Sequence, residues 1–315
     1  MFSKYYSAKV GKKCNFSKII NGVYLILYLS FIYPIMRTLK RKSEIESLLE
    51  DYRNNEKSVG FVPTMGALHS GHLSLIRKAK EENDICVCSI YVNPTQFNNP
   101  NDLEKYPRQL KDDTALLEAE NCDILFAPEN EDMYPENDVE IHFNFGKLEN
   151  VMEGKYRPGH FNGVGTIVKK LLDIVKPNKA YFGKKDYQQL LIIKSVCEQY
   201  NINTEIVGCE IIREKDGLAM SSRNQRLSPK QREEAPYIYA VLDYTSIMGR
   251  RMPVTDLKDW VAKKINSNKE MDLEYFEVCD AADLSIIEEW GYGQKAMGFI
   301  VVNMGDIRLI DNINI

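Results

Sequence analysis

Histidine is scarce in this chain: there are four in 315 residues, so two of them three positions apart form a chemical signal. Positive charge is not in excess either. With 41 Lys and Arg against 45 Asp and Glu, the formal net charge is -4, which argues against a dedicated nucleic-acid binder. A local cationic pocket stays possible, because net charge averages over the whole surface. No C-x-x-C pair occurs among the seven cysteines (14, 86, 88, 122, 197, 209 and 279), and no histidine lies near them. All seven are expected to be reduced thiols, mostly buried, in a reducing and therefore cytoplasmic setting. There is no low-complexity tract and no internal repeat.

One stretch lacks charge altogether. Ile19 to Met36 carry none, with Lys9, Lys12, Lys13 and Lys18 before them. The length falls just under the roughly 20 apolar residues of a membrane span. Asn21, Gly22, Ser30 and Pro34 interrupt the run, and no small-x-small cleavage site follows it. A membrane anchor and an export signal are the alternatives. The expectation is a functional chain that begins near Met36, with residues 1–35 an extension of uncertain status.

Over the whole chain the composition is ordinary, 44% hydrophobic and 27% charged, and 315 residues are enough for one large domain or two modest ones. Ile45, Leu48, Leu49 and Tyr52 recur at helical spacing. Ser58 to Pro63 reads as a strand, and Leu73, Ile76 and Ala79 mark the next helix. Ile85 to Val92 is an apolar run suited to a strand covered on both faces. Cys86 and Cys88 would share one of its faces. Asp112 and Asp113 open a further helix, complementing its dipole. Ile124 to Ala127 gives a strand, and Val164 to Val175 a helical stripe ended by Pro177. Ala180 to Phe182 is a strand, Tyr187 to Gln199 a helix and Thr204 to Ile212 a strand. This alternation predicts an α/β fold, a Rossmann-like parallel sheet with helices on both faces, over 36–213. Beyond a polar loop, two helices (Gln231 to Met248, Val254 to Asn266) precede three strands (Leu273 to Cys279, Ala296 to Asn303, Ile307 to Ile310). They predict a smaller C-terminal α+β domain over 214–315.

Two motifs carry chemistry. His69-Ser70-Gly71-His72 follows a strand and opens a helix. A helix N-terminus offers unpaired N–H groups and partial positive charge, so it attracts phosphate. Gly66 and Gly71 admit a ligand close to the backbone. Two imidazoles there can donate hydrogen bonds that strengthen as charge builds on phosphate oxygens; the bland alternative is that they merely start a helix. The second motif is Met220-Ser221-Ser222-Arg223-Asn224 in the polar loop. Its hydroxyls and guanidinium would make a mobile clamp for a leaving pyrophosphate. On its own it is only a serine-rich loop. Together the two resemble the signature of the nucleotidyltransferase superfamily.

Five longer segments narrow the resemblance: Pro63 to His72, Val92 to Phe97, Arg157 to Phe161, Tyr181 to Gln189 and Asp216 to Asn224. In content, order and spacing they resemble the pantothenate synthetase (pantoate–β-alanine ligase) family, from about Met36 to the C-terminus. The resemblance implies ATP-dependent condensation of pantoate with β-alanine to pantothenate, AMP and pyrophosphate, through a pantoyl-adenylate, with Mg²⁺. It implies that Met65, Gly66, Ala67, Leu68, His69, Ser70, Gly71 and His72 contact ATP, with His72 the candidate acid. Gly183, Lys184, Lys185 and Asp186 would line the nucleotide, Ile212 its adenine side, and Met220, Ser221, Ser222 and Arg223 its phosphates. Gln96 and Gln189 would hold pantoate. The family usually has Glu at Lys184, and this lysine is expected to face solvent. Asp112 and Asp113 are weak candidates for a metal contact. Asn93 and Arg157 are either ligand contacts or structural, and His160 is expected to pack beside the glycine turn. A homodimer is implied, with no nucleic-acid partner and no membrane.

The competing enzyme is an adenylyltransferase acting on a phosphate-bearing acceptor. It would share the histidine motif but need a cationic acceptor pocket where Gln96 and Gln189 stand. A membrane-anchored binding module without catalysis would rest on Ile19 to Met36.

Overall fold

The computed structural model describes residues 36–97, 100–139 and 141–315; the side chains of 101 and 102 are not described. The expectations about residues 1–35, and Cys14, lie outside the described residues. Arg37–Ile315 forms one compact unit.

Its larger layer is a six-stranded, wholly parallel sheet. The strands are β1 (Arg37–Leu39), β2 (Val59–Thr64), β3 (Ile85–Ile90), β4 (Ile124–Phe126), β5 (Lys179–Gly183) and β6 (Glu205–Cys209), in the order β1-β4-β3-β2-β5-β6. Parallel pairing needs a crossover between strands, and helices supply it: α1 (Lys42–Asn54), α2 (Ser70–Glu82), α3 (Pro100–Glu104), α4 (Leu110–Ala119), α5 (Asn130–Met133), α6 (Met152–Tyr156), α7 (His160–Val175) and α8 (Tyr187–Gln199). The central strands are sealed on both faces. Val59, Phe61, Val62, Cys86, Val87 and Cys88 are all fully buried, each large apolar side chain contributing about 1.5–3 kcal/mol on burial. Helix α7 supplies much of the cover, through Val164, Ile167, Val168, Leu171, Leu172 and Val175.

The chain leaves β2 toward β3 on one side, while β5 flanks β2 on the other. The order therefore reverses at β2, and ligands of open parallel sheets sit beyond the carboxyl ends of strands at such a switch point. Thr64 and Gly183 end β2 and β5 there, and the segments that follow are 65–72 and 184–189. Fold geometry thus brings together two of the motifs picked out from the sequence.

The smaller layer is an antiparallel sheet, β7 (Asp272–Asp280), β8 (Ala296–Met304) and β9 (Ile307–Asn314), in that order. Helices α9 (Pro229–Glu234), α10 (Tyr237–Met248) and α11 (Val254–Asn266) precede it. It has its own core, including Ile238, Leu242, Leu257, Val261, Ile300 and Val302. The helix expected over Gln231 to Met248 is two helices. Pro236 has no N–H to continue the ladder, so one helix ends at Glu234 and the next starts at Tyr237. The strand expected over Thr204 to Ile212 ends at Cys209, where its pairing to β5 runs out. The strand expected from Ile307 runs on to Asn314, paired with β8 along its length.

Among the described residues no helix is long and apolar enough to cross a membrane. The six described cysteines are free thiols, all buried.

Candidate active site

Above the switch point lies a cleft of ≈ 230 Å³. Met65, His69, Gly71 and His72 line it from one side, Gly183, Lys185, Asp186 and Gln189 from another. Ile212, Met220, Ser221, Ser222 and Arg223 come from the loop after β6, and Gln96 from the turn after β3. The structure thus brings residues from four separate stretches to one cleft.

The histidine loop is built by the start of α2. His69 is the N-cap, and its Nδ1 accepts the Gly71 N–H at 3.1 Å. His72 Nδ1 in turn accepts the His69 N–H at 3.4 Å. A backbone N–H only donates, so Nδ1 of each ring is the bare nitrogen, and the neutral tautomer carries its proton on Nε2. The rings lie 4.1 Å apart, centroid to centroid. Burial, with Lys185 nearby, lowers the His69 pKa to about 4. Burial, with His69 and Lys185, lowers that of His72 to about 3. Both rings are neutral donors at neutral pH. Gly71 is required by space: a Cβ there would stand 2.9 Å from the His69 ring.

Not every residue of the loop faces the cleft. Ala67 and Leu68 are buried, and their N–H groups go to Asp113, at 2.9 Å to Oδ2 and 2.7 Å to Oδ1. These two amides, which precede α2, are therefore engaged within the protein. Ser70 is exposed and, like Gly66, is not among the lining residues. Asp113 is itself buried, and that burial raises its pKa. Each of its carboxylate oxygens is engaged by one N–H of the loop. Among the described residues no group of three or more His, Cys, Asp or Glu is placed to hold a metal ion.

The opposite wall centres on Gln96. Its Nε2 donates to Met65 Sδ at 2.9 Å, and its Oε1 accepts from Asn93 Nδ2 at 3.4 Å. Its backbone oxygen accepts from His160 Nδ1 at 2.8 Å and from Arg157 at 3.4 Å. Asn93 is held by Tyr134 Oη, which donates at 2.7 Å, and donates itself to Gly163 O at 3.1 Å. Gly163 lets α7 touch this turn: a Cβ would meet Thr95 O at 2.5 Å. Asn93 also lines the cleft. Arg157 and His160 hold the turn from behind and are not among its lining residues.

Lys185 lines the cleft and pairs with Asp186 at 3.1 Å. Lys184 does not line it; its ammonium pairs with the exposed Glu210 carboxylate. Asn312 donates from Nδ2 to the carbonyls of both Lys184 and Lys185, at 2.9 Å each, so the small sheet anchors this loop. Sequence reasoning missed Tyr91, Tyr106, Phe182, Glu210 and Ile211 as lining residues. It read Val164, Ile167, Val168 and Leu171 only as core. Their helical stripe gave no sign that one edge of it would face a cleft.

A parallel sheet with an imidazole pair at a helix N-terminus over its switch point defines an α/β enzyme for phosphate-bearing nucleotides. Comparison with known proteins makes this specific. The family model for pantoate–beta-alanine ligase matches residues 37–314. The pantothenate synthetase of Phocaeicola vulgatus is 48% identical over 279 residues, 88% of this chain and 99% of that protein. That of Christiangramia forsetii is 45% identical over the same shares of both chains. The crystal structure of pantothenate synthetase from Thermus thermophilus superposes with a TM-score of 0.82 at 39% identity, covering 88% of this chain and 99% of that one. A Francisella tularensis pantoate–beta-alanine ligase, complexed with beta-gamma ATP and beta-alanine, gives 0.74 at 38% identity over 89% and 97%. The chain belongs to the pantoate–beta-alanine ligase family. It is an ATP-dependent ligase that forms a C–N bond between pantoate and β-alanine.

Proposed function

We propose that the cleft runs the condensation in two half-reactions. The pantoate carboxylate attacks the α-phosphorus of ATP, the bond to the bridging oxygen breaks, and pyrophosphate leaves. The β-alanine amine then attacks the acyl carbon of the pantoyl-adenylate, loses a proton, and AMP departs. A carboxylate is a poor acyl donor in water, and the mixed anhydride supplies the activation. The protein contributes position and charge neutralisation.

The observation that carries this reading is the fixed tautomer of His69 and His72. Each ring presents an Nε2–H as a neutral donor for phosphate oxygens, a contact that strengthens as negative charge develops. His72 acts as a hydrogen-bond donor and not as a charged acid. Lys185 supplies the point charge. Met220, Ser221, Ser222 and Arg223 close over the phosphates. The amides of Gln96 and Gln189 bind the hydroxyls and carboxylate of pantoate without adding charge that repels ATP.

Mg²⁺ would neutralise the triphosphate while resting on phosphate oxygens and water. Asp112, exposed at the start of α4, is the remaining carboxylate candidate, since Asp113 is already engaged. The enzyme acts as a cytoplasmic homodimer, on small-molecule substrates alone. The test is ATP–pyrophosphate exchange, together with pantothenate formation when each substrate is omitted in turn. Exchange that requires pantoate supports the reading. Exchange that requires a phosphorylated acceptor instead would replace it with an adenylyltransferase.

A further inference from the structure

Three consecutive backbone amides in the loop after β2 are each taken by a side-chain oxygen. Gly66 N–H donates to Thr64 Oγ1 at 3.2 Å, Ala67 N–H to Asp113 Oδ2 at 2.9 Å, and Leu68 N–H to Asp113 Oδ1 at 2.7 Å. Successive amides turned to one side make an anion-binding concavity. Here the anion is a carboxylate of the protein's own, delivered from the first turn of α4, 45 residues on from Leu68. The turn it holds is unusual. Gly66 has φ +81 and Ala67 φ +51, and a residue with a side chain keeps a left-handed conformation only when its surroundings impose it. One residue past this turn stands His69, whose N–H donates to His72 Nδ1 and whose ring accepts the Gly71 N–H.

We propose that Asp113 is a positioning residue for the adenylation step: it holds the Gly66–Leu68 turn in the shape that aims His69 and His72 at the triphosphate. The proposal rests on the reading given under Proposed function. The two carboxylate oxygens each match one N–H, which asparagine does not reproduce, because its Nδ2 would face a donor. Glutamate keeps the charge, but the site has no spare length; a Cβ on Gly66 would already stand 2.9 Å from Oδ2.

The test uses the full chain as wild type, Asp113→Asn and Asp113→Glu. It measures single-turnover formation of pantoyl-adenylate, and separately the aminolysis of supplied pantoyl-adenylate by β-alanine. Circular dichroism and thermal melting report the folded state. Misplacing a catalytic loop by about 1 Å costs about 10²-fold, so Asp113→Asn is expected to slow adenylation by about that factor. Asp113→Glu is expected to slow it by about tenfold on the same geometric ground. In both variants aminolysis and the KM for pantoate should change by less than about threefold. Loss of both half-reactions by equal factors in folded protein would show a merely structural acid and overturn the proposal, as would wild-type adenylation in Asp113→Asn. Should Asp113→Asn fail to fold, Asp113→Glu decides alone, and wild-type adenylation in it is again the overturning result. If wild type itself makes no adenylate from ATP and pantoate, the functional reading fails, and the proposal with it.

Discussion

The two walls of the cleft hold the same kind of ring in opposite ways. On the side of the histidine loop, Nδ1 of His69 and of His72 accepts a backbone N–H, which leaves the proton on Nε2. On the Gln96 side, Nδ1 of His160 faces a carbonyl at 2.8 Å, so that nitrogen must carry the proton. All three rings are kept neutral chiefly by burial, His160 with a pKa of about 4. The difference lies in where the donor points. On one wall it is the Nε2–H, proposed to meet a ligand, and on the other it is the Nδ1–H, used to fix a backbone.

Behind the Gln96 wall stands a charge network that the histidine loop has no equivalent of. Glu153 accepts from Arg308 at 2.7 and 2.6 Å, from Tyr275 Oη at 2.8 Å and from Arg157 at 3.4 Å. Arg308 also engages Glu274 on β7. The network holds the Glu153 pKa down at about 2, against the opposing effect of burial. It ties β9 of the small sheet to α6, and through Arg157 to the oxygen of Gln96. Full charges thus sit one step behind the neutral amide proposed to touch substrate.

The largest expected effect breaks that network. Arg308→Met would leave Glu153, whose side chain is only 13% exposed, without its main partner. Removing one member of a buried pair costs about 3–5 kcal/mol, an upper bound for this half-buried one. Urea unfolding, with an unchanged slope against denaturant, measures it. A loss below about 1 kcal/mol would show that the pair is solvated and that the two walls differ less than described.

Next in size is the proposed donor. His72→Ala should lower the single-turnover rate of adenylate formation by about 10²–10³-fold, the usual effect of removing one preorganised donor. Stability should change much less. An unchanged rate would remove the ring from the proposed chemistry.

The pH dependence separates the same two properties. The histidine pKa values are lowered on folding, so the unfolded chain takes up protons first. Their contribution to stability is whole above the ordinary value of 6.5 and is lost as pH falls toward about 4 for His69 and His160 and about 3 for His72. Glu153 adds loss of the same sign between 4.5 and about 2. Unfolding free energy should therefore decline steadily below pH 6.5. The adenylation rate should show no inflection near 6.5, since both rings are neutral on either side of it. An inflection there that vanishes in His72→Ala would mean a charged, proton-transferring histidine.

How much of this was legible in the sequence depends on how local the cause is. Helix α8 was read with its bounds as found, because periodicity from Tyr187 to Gln199 and burial of Leu190, Ile193 and Val196 say the same thing. Strand β1 was not read at all. It is three residues long, Arg37 and Thr38 are exposed, and only pairing with β4 makes it a strand. Four of the five motifs reach the cleft because they span or follow a strand end; Arg157 to Phe161 lies at the junction of two helices and does not line it. The tasks of Asp113 and Arg308 were hidden, since the partner of one lies 45 residues away and that of the other 155. Asp113 at a helix start looks like any dipole partner until the turn beneath it is seen.

The smallest expected effect concerns Lys184, beside Lys185 in the sequence and unlike it in role. Its ammonium reaches Glu210, whose side chain is 80% exposed, and an exposed ion pair contributes about 0.2–1 kcal/mol. Its stem covers Gly208, where a Cβ would meet Cε at 3.4 Å, and its carbonyl is held by Asn312 whatever side chain it carries. Lys184→Glu restores the residue the family usually has, but sets it against Glu210, so a slight loss of stability is expected rather than a gain. The KM for ATP should move by less than about threefold, because a solvated charge at the rim is screened by salt. Lys185→Ala, in the cleft itself, should slow adenylation by orders of magnitude in the same assay. If Lys184→Glu raised the KM for ATP more than about tenfold, the lysine would be a phosphate contact, and the boundary between cleft and rim would have to move to include it.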